Sequence, residues 1–125
     1  MARVKIENDN LVITMQGARK LLTLKGELSV PLHNVKEVMS GLAWKDAPKL
    51  YNSIRVGTHL PGVYFGGRFW HEGNKVFYDL KKQEDAVVIT LKDESFDHII
   101  FGVDNPEETI DLIEQVLRSQ EKIEK

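Results

Sequence analysis

The second half of the chain contains four strand-length apolar runs, and this series constrains the fold more than any other feature. The runs are VYFGGRFW, KVFYDL, AVVITL and FDHIIFGV, and the segments between them are HEGN, KKQED and KDES. Apolar runs bounded by polar, turn-forming residues are typical of antiparallel strands. We therefore predict a β meander over residues 63–103.

The first part of the chain predicts a hairpin followed by a short helix. The β-prone runs RVKIE and LVITM flank Asn8, Asp9 and Asn10, which tolerate turn conformations. The next run, ARKLLTLK, places apolar residues at helical spacing. This spacing predicts a short helix near 18–24.

From Glu27 onward, apolar and polar residues alternate, which predicts another strand. Its apolar residues would be Leu28, Val30 and Leu32, with Val35 and Val38 continuing the same strand. A long connection would then lead to the stretch GTHLPG, which begins at residue 57.

The glycines and proline of residues 57–67 predict turns rather than a phosphate-binding loop. Pro61-Gly62 matches the central pair of a type II turn, in which glycine supplies the positive φ. Gly66-Gly67 within the following strand predicts a bulge or a sharp bend. Neither the dinucleotide-binding fingerprint nor the P-loop spacing is present.

The C-terminal segment predicts an amphipathic helix near 106–121. Asn105 is a good N-cap and Pro106 suits the first helical position. Its apolar stripe consists of Ile110, Ile113, Val116 and Leu117. Strands followed by a single helix predict a mainly β, α+β domain whose core the helix covers, and 125 residues correspond to one domain, 1–125.

Composition excludes several functions. The chain has no cysteine, so disulfides, thiol catalysis and thiolate metal sites are absent. No stretch reaches the roughly 20 apolar residues of a membrane-spanning helix, and the first residues lack the apolar region of a signal peptide. These features fit a reducing cytoplasm, where we expect the protein to reside.

Charge is distributed unevenly along the chain. The net charge is −2, and residues 104–125 carry seven acidic side chains against three basic ones. The basic excess of residues 1–56 is spread thinly and forms no run. We therefore expect no nucleic-acid binding, which requires a basic patch or stripe.

The ordered series GTHLPGVYFGGRF, VFYDL, AVVITL and FDHIIFGVDNPEETIDLI resembles bacterial pleckstrin-homology-like (PH-like) domains of uncharacterised function. The resemblance covers residues 55–117 well and residues 3–38 loosely. It implies a partly open barrel of about seven antiparallel strands with a C-terminal capping helix. It brings no general activity with it.

The same resemblance argues against one ligand. Pleckstrin-homology domains that bind phosphoinositides carry a basic cluster around the loop joining the first two strands. Here the corresponding loop reads ENDN, and only Lys5 is close in sequence. Because phosphates need basic side chains or converging amides, we expect no phosphoinositide binding.

Few residues suggest chemistry. The four histidines form no metal-binding pair such as H-x-H or H-E-x-x-H, and no serine lies in a nucleophile elbow. Asp79 lies inside the meander run KVFYDL, and we expect it to point outward towards a basic neighbour. We therefore predict no catalytic residues, no metal and no cofactor.

Two functional hypotheses remain. The first is a non-catalytic interaction domain that binds another protein, or copies of itself as a homo-oligomer, through an exposed sheet edge or the loop around His59. The second is a small-molecule-binding protein or enzyme that uses the barrel mouth. Its polar and aromatic candidates are Arg55, His59, Arg68 and Trp70.

Overall fold

The computed structural model describes residues 2–15, 26–40, 54–60, 64–71, 74–81 and 85–124. These residues form a three-stranded sheet, a six-stranded sheet and a long C-terminal helix. The strands are β1 Ala2–Glu7, β2 Asn10–Met15, β3 Glu27–Pro31, β4 Val35–Ser40, β5 Ile54–Leu60, β6 Tyr64–His71, β7 Asn74–Lys81, β8 Asp85–Leu91 and β9 His98–Val103, and the helix, α1, is Pro106–Glu124.

The strand order is β1-β2-β3 in the smaller sheet and β4-β8-β9-β7-β6-β5 in the larger one. Neighbouring strands are antiparallel, except that β7 and β9 are parallel, with Phe77 opposite Ile99. The mainly β prediction with a C-terminal helix is therefore confirmed. The described strands form two separate sheets, one with a parallel pair, and not a closed barrel.

The predicted hairpin is confirmed as β1 and β2. Glu7 pairs with Asn10 across a two-residue turn. Asn8 and Asp9 in that turn have φ angles of 51° and 64°. Two successive positive φ values characterise the tight turn whose twist matches a β hairpin, and Asn and Asp tolerate this conformation.

The strand predicted from Glu27 to Val38 is two strands in different sheets. A 3-10 turn over Leu32–Asn34 follows β3 and carries the chain from the smaller sheet to β4 in the larger one. Leu32 is still buried, which explains why the apolar alternation of the sequence runs through the turn. The prediction of one continuous strand was wrong.

The GTHLPG stretch differs from its prediction at its start. Residues 57–60 belong to β5, which pairs along its whole length with β6. Pro61, Gly62 and the helix predicted near 18–24 lie outside the described residues. Gly67 is buried and has a φ of 104°, so this position needs a residue without a Cβ.

The main core lies between the two sheets and under α1. All of its members are buried: Leu11, Ile13, Met15, Leu28, Val30, Leu32, Val35, Val38, Phe77, Val87, Ile89, Leu91, Ile99, Phe101, Val103 and Ile113. The other face of the larger sheet carries a second buried cluster, Phe69, Tyr78, Leu80, Ala86 and Ile100. The central strands β7, β8 and β9 are therefore buried on both faces, which explains why they read as nearly continuous apolar runs.

Asp79 is completely buried, contrary to the outward position expected from the sequence. It lies on β7 between Gly66 of β6 and Phe101 of β9 in the sheet register. Successive residues of a strand lie on opposite faces, so Asp79 lies on the same face as Phe77 and on the other face from Tyr78 and Leu80. The error followed from treating a charged residue as exposed when its strand is covered on both faces.

Helix α1 begins as predicted. The Glu108 backbone amide donates to Asn105 Oδ1 at 3.1 Å, so Asn105 is the N-cap. Ile113 is completely buried in the main core. Ile110, Val116 and Leu117 pack against that core as half-buried residues, which confirms the predicted apolar stripe.

We predict that Ile113→Ala lowers the free energy of unfolding by about 2–5 kcal/mol, because it opens a cavity in the main core. The neighbouring Leu112 is 42% exposed, so Leu112→Ala is the matched control and should cost less than about 1 kcal/mol. Urea denaturation followed by circular dichroism measures both variants. Equal losses of stability would show that the helix packs on a different face.

Tyr78 provides a second test. Burial raises the pKa of its phenol from 10.0 to about 12. The unfolded chain ionises first as pH rises, so stability is unaffected below pH 10 and falls by about 2–3 kcal/mol between pH 10 and 12. Tyr78→Phe should remove this loss of stability between pH 10 and 12. It should also remove the phenolate absorbance that appears at the highest pH. An unchanged alkaline titration would contradict the burial of this side chain.

Candidate functional site

A solvent-open groove of about 730 Å³ lies between β1 and the first half of α1. We call it the β1–α1 groove. Its apolar lining residues are Val4, Val103 and Leu112. Its polar lining residues are Asp104, Asn105, Glu107, Glu108, Thr109, Asp111 and Gln115.

The helical periodicity of α1 builds one wall of this groove. The apolar stripe centred on Ile113 faces the main core, as described above. A second stripe, with residues spaced three or four positions apart, follows the adjacent side of the helix. It contains Glu108, Asp111, Leu112 and Gln115, all of which line the groove. Burial of the first stripe therefore fixes the orientation of the second.

The turn between β9 and α1 builds the end of the groove. Val103 is the last residue of β9, and Asp104 and Asn105 follow directly. The Asn105 carbonyl accepts hydrogen bonds from the Thr109 amide and the Thr109 hydroxyl, both at 3.3 Å. These bonds hold the start of the helix beside the end of the strand.

Strand β1 supplies the opposite wall. Within the described residues, β1 is hydrogen-bonded only to β2, and no described strand pairs with its other edge. Val4 and Ile6 are half-buried and pack against the main core. Arg3 and Lys5 alternate with them and are exposed. The edge therefore combines an apolar inner face with unpaired backbone groups, which is the arrangement that strand addition uses.

The basic side chains of β1 belong to its outer face. Lys5 Nζ lies 2.9 Å from Glu7 Oε2. Its hydrogen bond with Glu7 and the charges of Glu7 and Glu27 hold the pKa of Lys5 above its usual value of 10.5. The charge of Lys5 is thus directed towards carboxylates of its own sheet, and no basic residue is among those that line the groove.

The four residues predicted as ligand-binding candidates lie on the neighbouring strands β5 and β6. Arg55 pairs with Phe69, and His59 pairs with Phe65. Because successive residues of a strand lie on opposite faces of the sheet, Arg68 and Trp70 lie on the other face from Arg55 and His59. The four candidates therefore lie on the same two strands but are divided between the two faces of the sheet.

Arg68 is the candidate with a described contact. Its guanidinium carbon lies 5.6 Å from the centre of the Phe96 ring, a cation–π arrangement. The Phe96 ring meets Phe77 edge-on, with ring centres 5.6 Å apart. Trp70 is half-buried and lies directly across from Lys75. These contacts make Arg68 an exposed cation on an aromatic support.

The β1–α1 groove was not predicted from the sequence. Leu112 lies outside the apolar stripe that the sequence predicts for the helix. A signal was nevertheless present, since a large aliphatic residue between carboxylates on the solvent side of a helix suggests a contact surface. What the sequence could not supply was the position of β1 beside α1.

Other kinds of site find no support in the described residues. Across these ranges, no three His, Asp or Glu side chains lie where they could hold a metal ion together. In the same part of the chain, no helix combines the length and apolar character needed to cross a bilayer. No protein-family model, curated protein or solved structure matches this chain.

Proposed function

We propose that this chain is a non-catalytic interaction domain that binds an extended segment of another polypeptide in the β1–α1 groove. The observation that carries the proposal is the combination of an open strand edge with an apolar groove directly beside it. Backbone groups of β1 would pair with the segment, and Val4, Val103 and Leu112 would receive its side chains. Strand addition of this kind obtains affinity from main-chain hydrogen bonds and specificity from side-chain pockets.

The groove suits binding better than catalysis. Its acidic side chains, Asp104, Glu107, Glu108 and Asp111, are all exposed, and its lining residues include no histidine, lysine or serine. Acid–base or nucleophilic catalysis usually needs a nucleophile or base held by a second group. An exposed acidic rim around aliphatic residues instead provides orientation and anchoring for a ligand.

The relationship to PH-like domains belongs to the same proposal. A mainly β fold with a C-terminal helix packed on its core supports it, together with the sequence resemblance described above. The two-sheet arrangement and the parallel β7–β9 pair differ from a seven-stranded barrel. Location in a bacterial cytoplasm and self-association through a sheet edge are further parts of the proposal.

A second candidate function is the binding of a small anionic molecule near Arg68. The specific observation in its favour is the exposed guanidinium supported by Phe96. This arrangement leaves the N–H donors at the edge of the guanidinium directed to the side of the ring. Trp70 lies on the same face of the sheet as Arg68 and would belong to this site, whereas Arg55 and His59 lie on the other face.

Nuclear magnetic resonance titration tests the proposed function. The probe is a short, end-capped peptide in which lysine alternates with leucine, added to the ¹⁵N-labelled chain. We expect the amide shifts to change along β1 and around Val103 and Leu112, and alternate β1 amides to become protected from hydrogen exchange. Shifts confined to the surroundings of Arg68, or no shifts at all, would contradict the proposal.

The chain offers a matched pair of variants for this titration. Leu112 and Met39 are the two large hydrophobic residues among those described that are well exposed, at 42% and 47%. Leu112→Ser should weaken peptide binding at least about tenfold, because it removes an anchoring contact from the groove. Met39→Ser, at a position of β4 that does not line the groove, should leave binding unchanged.

A further inference from the structure

We infer that the segment bound in the β1–α1 groove is a basic stretch of a different protein, with lysine or arginine residues on either side of an aliphatic anchor. This inference rests on the proposed function and specifies the chemistry of the partner. It draws on two independent features of the groove. One is its apolar floor beside an open strand edge, and the other is the sign of the charge around that floor.

The floor requires an aliphatic side chain in the partner. Val4 and Leu112 lie on opposite walls, and Val103 lies between them at the end of β9. Leu112 is 42% exposed, so an apolar side chain placed there would remove much of its surface from water. An extended segment directs every second side chain towards this floor, which leaves its flanking residues near the rim.

The rim requires basic residues in the partner. Asp104, Glu107, Glu108 and Asp111 line the groove together with the floor residues, and none of the described lining residues is positively charged. Among the described basic residues, Lys5 does not compensate them, since it is bonded to Glu7 on the other face of β1. An acidic segment would therefore meet four carboxylates of like charge, whereas a basic segment would meet complementary ones.

The positive end of the helix does not reverse this preference. A helix start attracts anions through its free amides and its dipole. Here Asn105 Oδ1 already accepts a hydrogen bond from the Glu108 backbone amide. Glu107 and Glu108 lie in the first turn and offset the dipole. The groove is therefore acidic in spite of its position at a helix N-terminus.

A second copy of this chain fits the groove less well than a basic partner. Pairing two β1 edges about a two-fold axis would bring one acidic groove towards the other. The chain carries a net charge of −2, so approach of two copies is also disfavoured at long range. The occupant is for these reasons a segment of another protein.

Three end-capped peptides of equal length test the inference by isothermal titration calorimetry. Leucine alternates with lysine in the first, with glutamine in the second and with glutamate in the third. We expect the lysine peptide to bind most tightly, the glutamine peptide roughly tenfold more weakly, and the glutamate peptide not measurably, because exposed ion pairs contribute individually little but add over the rim. Added salt should weaken the lysine peptide and leave the glutamine peptide nearly unchanged.

Charge reversal on the groove provides the matched variants. Glu107→Lys combined with Asp111→Lys places two positive charges beside the two remaining carboxylates, Asp104 and Glu108, so the three peptides should then bind about equally tightly. The control is Glu37→Lys combined with Asp85→Lys, which makes the same change of charge at exposed positions outside the groove. If that variant does not fold, as circular dichroism would reveal, Glu107→Gln with Asp111→Asn replaces it and should reduce the preference for lysine over glutamine, because two of the four carboxylates remain.

The outcomes separate this inference from the proposed function. Equal binding of the lysine and glutamine peptides at the groove would overturn the inference while the proposed function stands. If none of the peptides binds, the proposed function fails as well. A dimer of the chain in sedimentation experiments would also overturn the inference if it excludes the lysine peptide and dissociates in the Leu112→Ser variant. Such a dimer would show that a second copy of the chain occupies the groove.

Discussion

The packing of the Ile113 stripe of α1 on the main core is the interaction on which the rest of this structure depends. Ile113 is completely buried, and the core it enters includes residues from both sheets. The helix thus closes a core that neither sheet closes alone. Because the Asn105 cap fixes where the helix begins, its start is held at the end of β9. The orientation of every other helix residue follows from these two constraints.

The candidate site is a geometric consequence of that packing. Once one stripe of α1 is buried, the stripe containing Asp111 and Leu112 must face the space beside β1. No described strand pairs with the second edge of β1, and a groove lies between this strand and the helix. A structural element needed for stability therefore creates a surface with both an apolar floor and a uniform charge. Binding at this surface would not require any change in the core.

Local patterns in the sequence were sufficient for most of the elements. The hairpin, the four strands β6 to β9 and α1 were predicted correctly as elements, because each has a clear period or a turn signal at its boundary. The predicted meander was wrong, because β9 lies between β7 and β8 in the sheet. Strand β5 was missed although Ile54, Val56, Thr58 and Leu60 alternate, since the glycines and proline nearby suggested a loop. The break between β3 and β4 was missed for the opposite reason, since apolar alternation continues through a buried 3-10 turn.

The pairing of strands that are distant in the sequence could not be predicted from local patterns. Nothing local distinguishes a parallel β7–β9 pair from the antiparallel pairs around it, and the division into two sheets depends on contacts between distant residues. The buried position of Asp79 and the groove beside β1 depend on this arrangement. The structure places the candidates on the neighbouring strands β5 and β6, but on two opposite faces of the sheet. They are Arg55, His59, Arg68 and Trp70. Site prediction therefore requires the tertiary arrangement.

Native-state hydrogen exchange of the free chain tests most directly whether the edge beside the groove is open. Amides of β2 have a strand on each side, so we expect those that bond to β1 or β3 to exchange only on global unfolding. In β1, alternate amides point away from β2, and these should exchange orders of magnitude faster than their neighbours in the same strand. Uniform protection of all β1 amides at the global level would contradict the account, because the edge that it assigns to a partner would already be occupied.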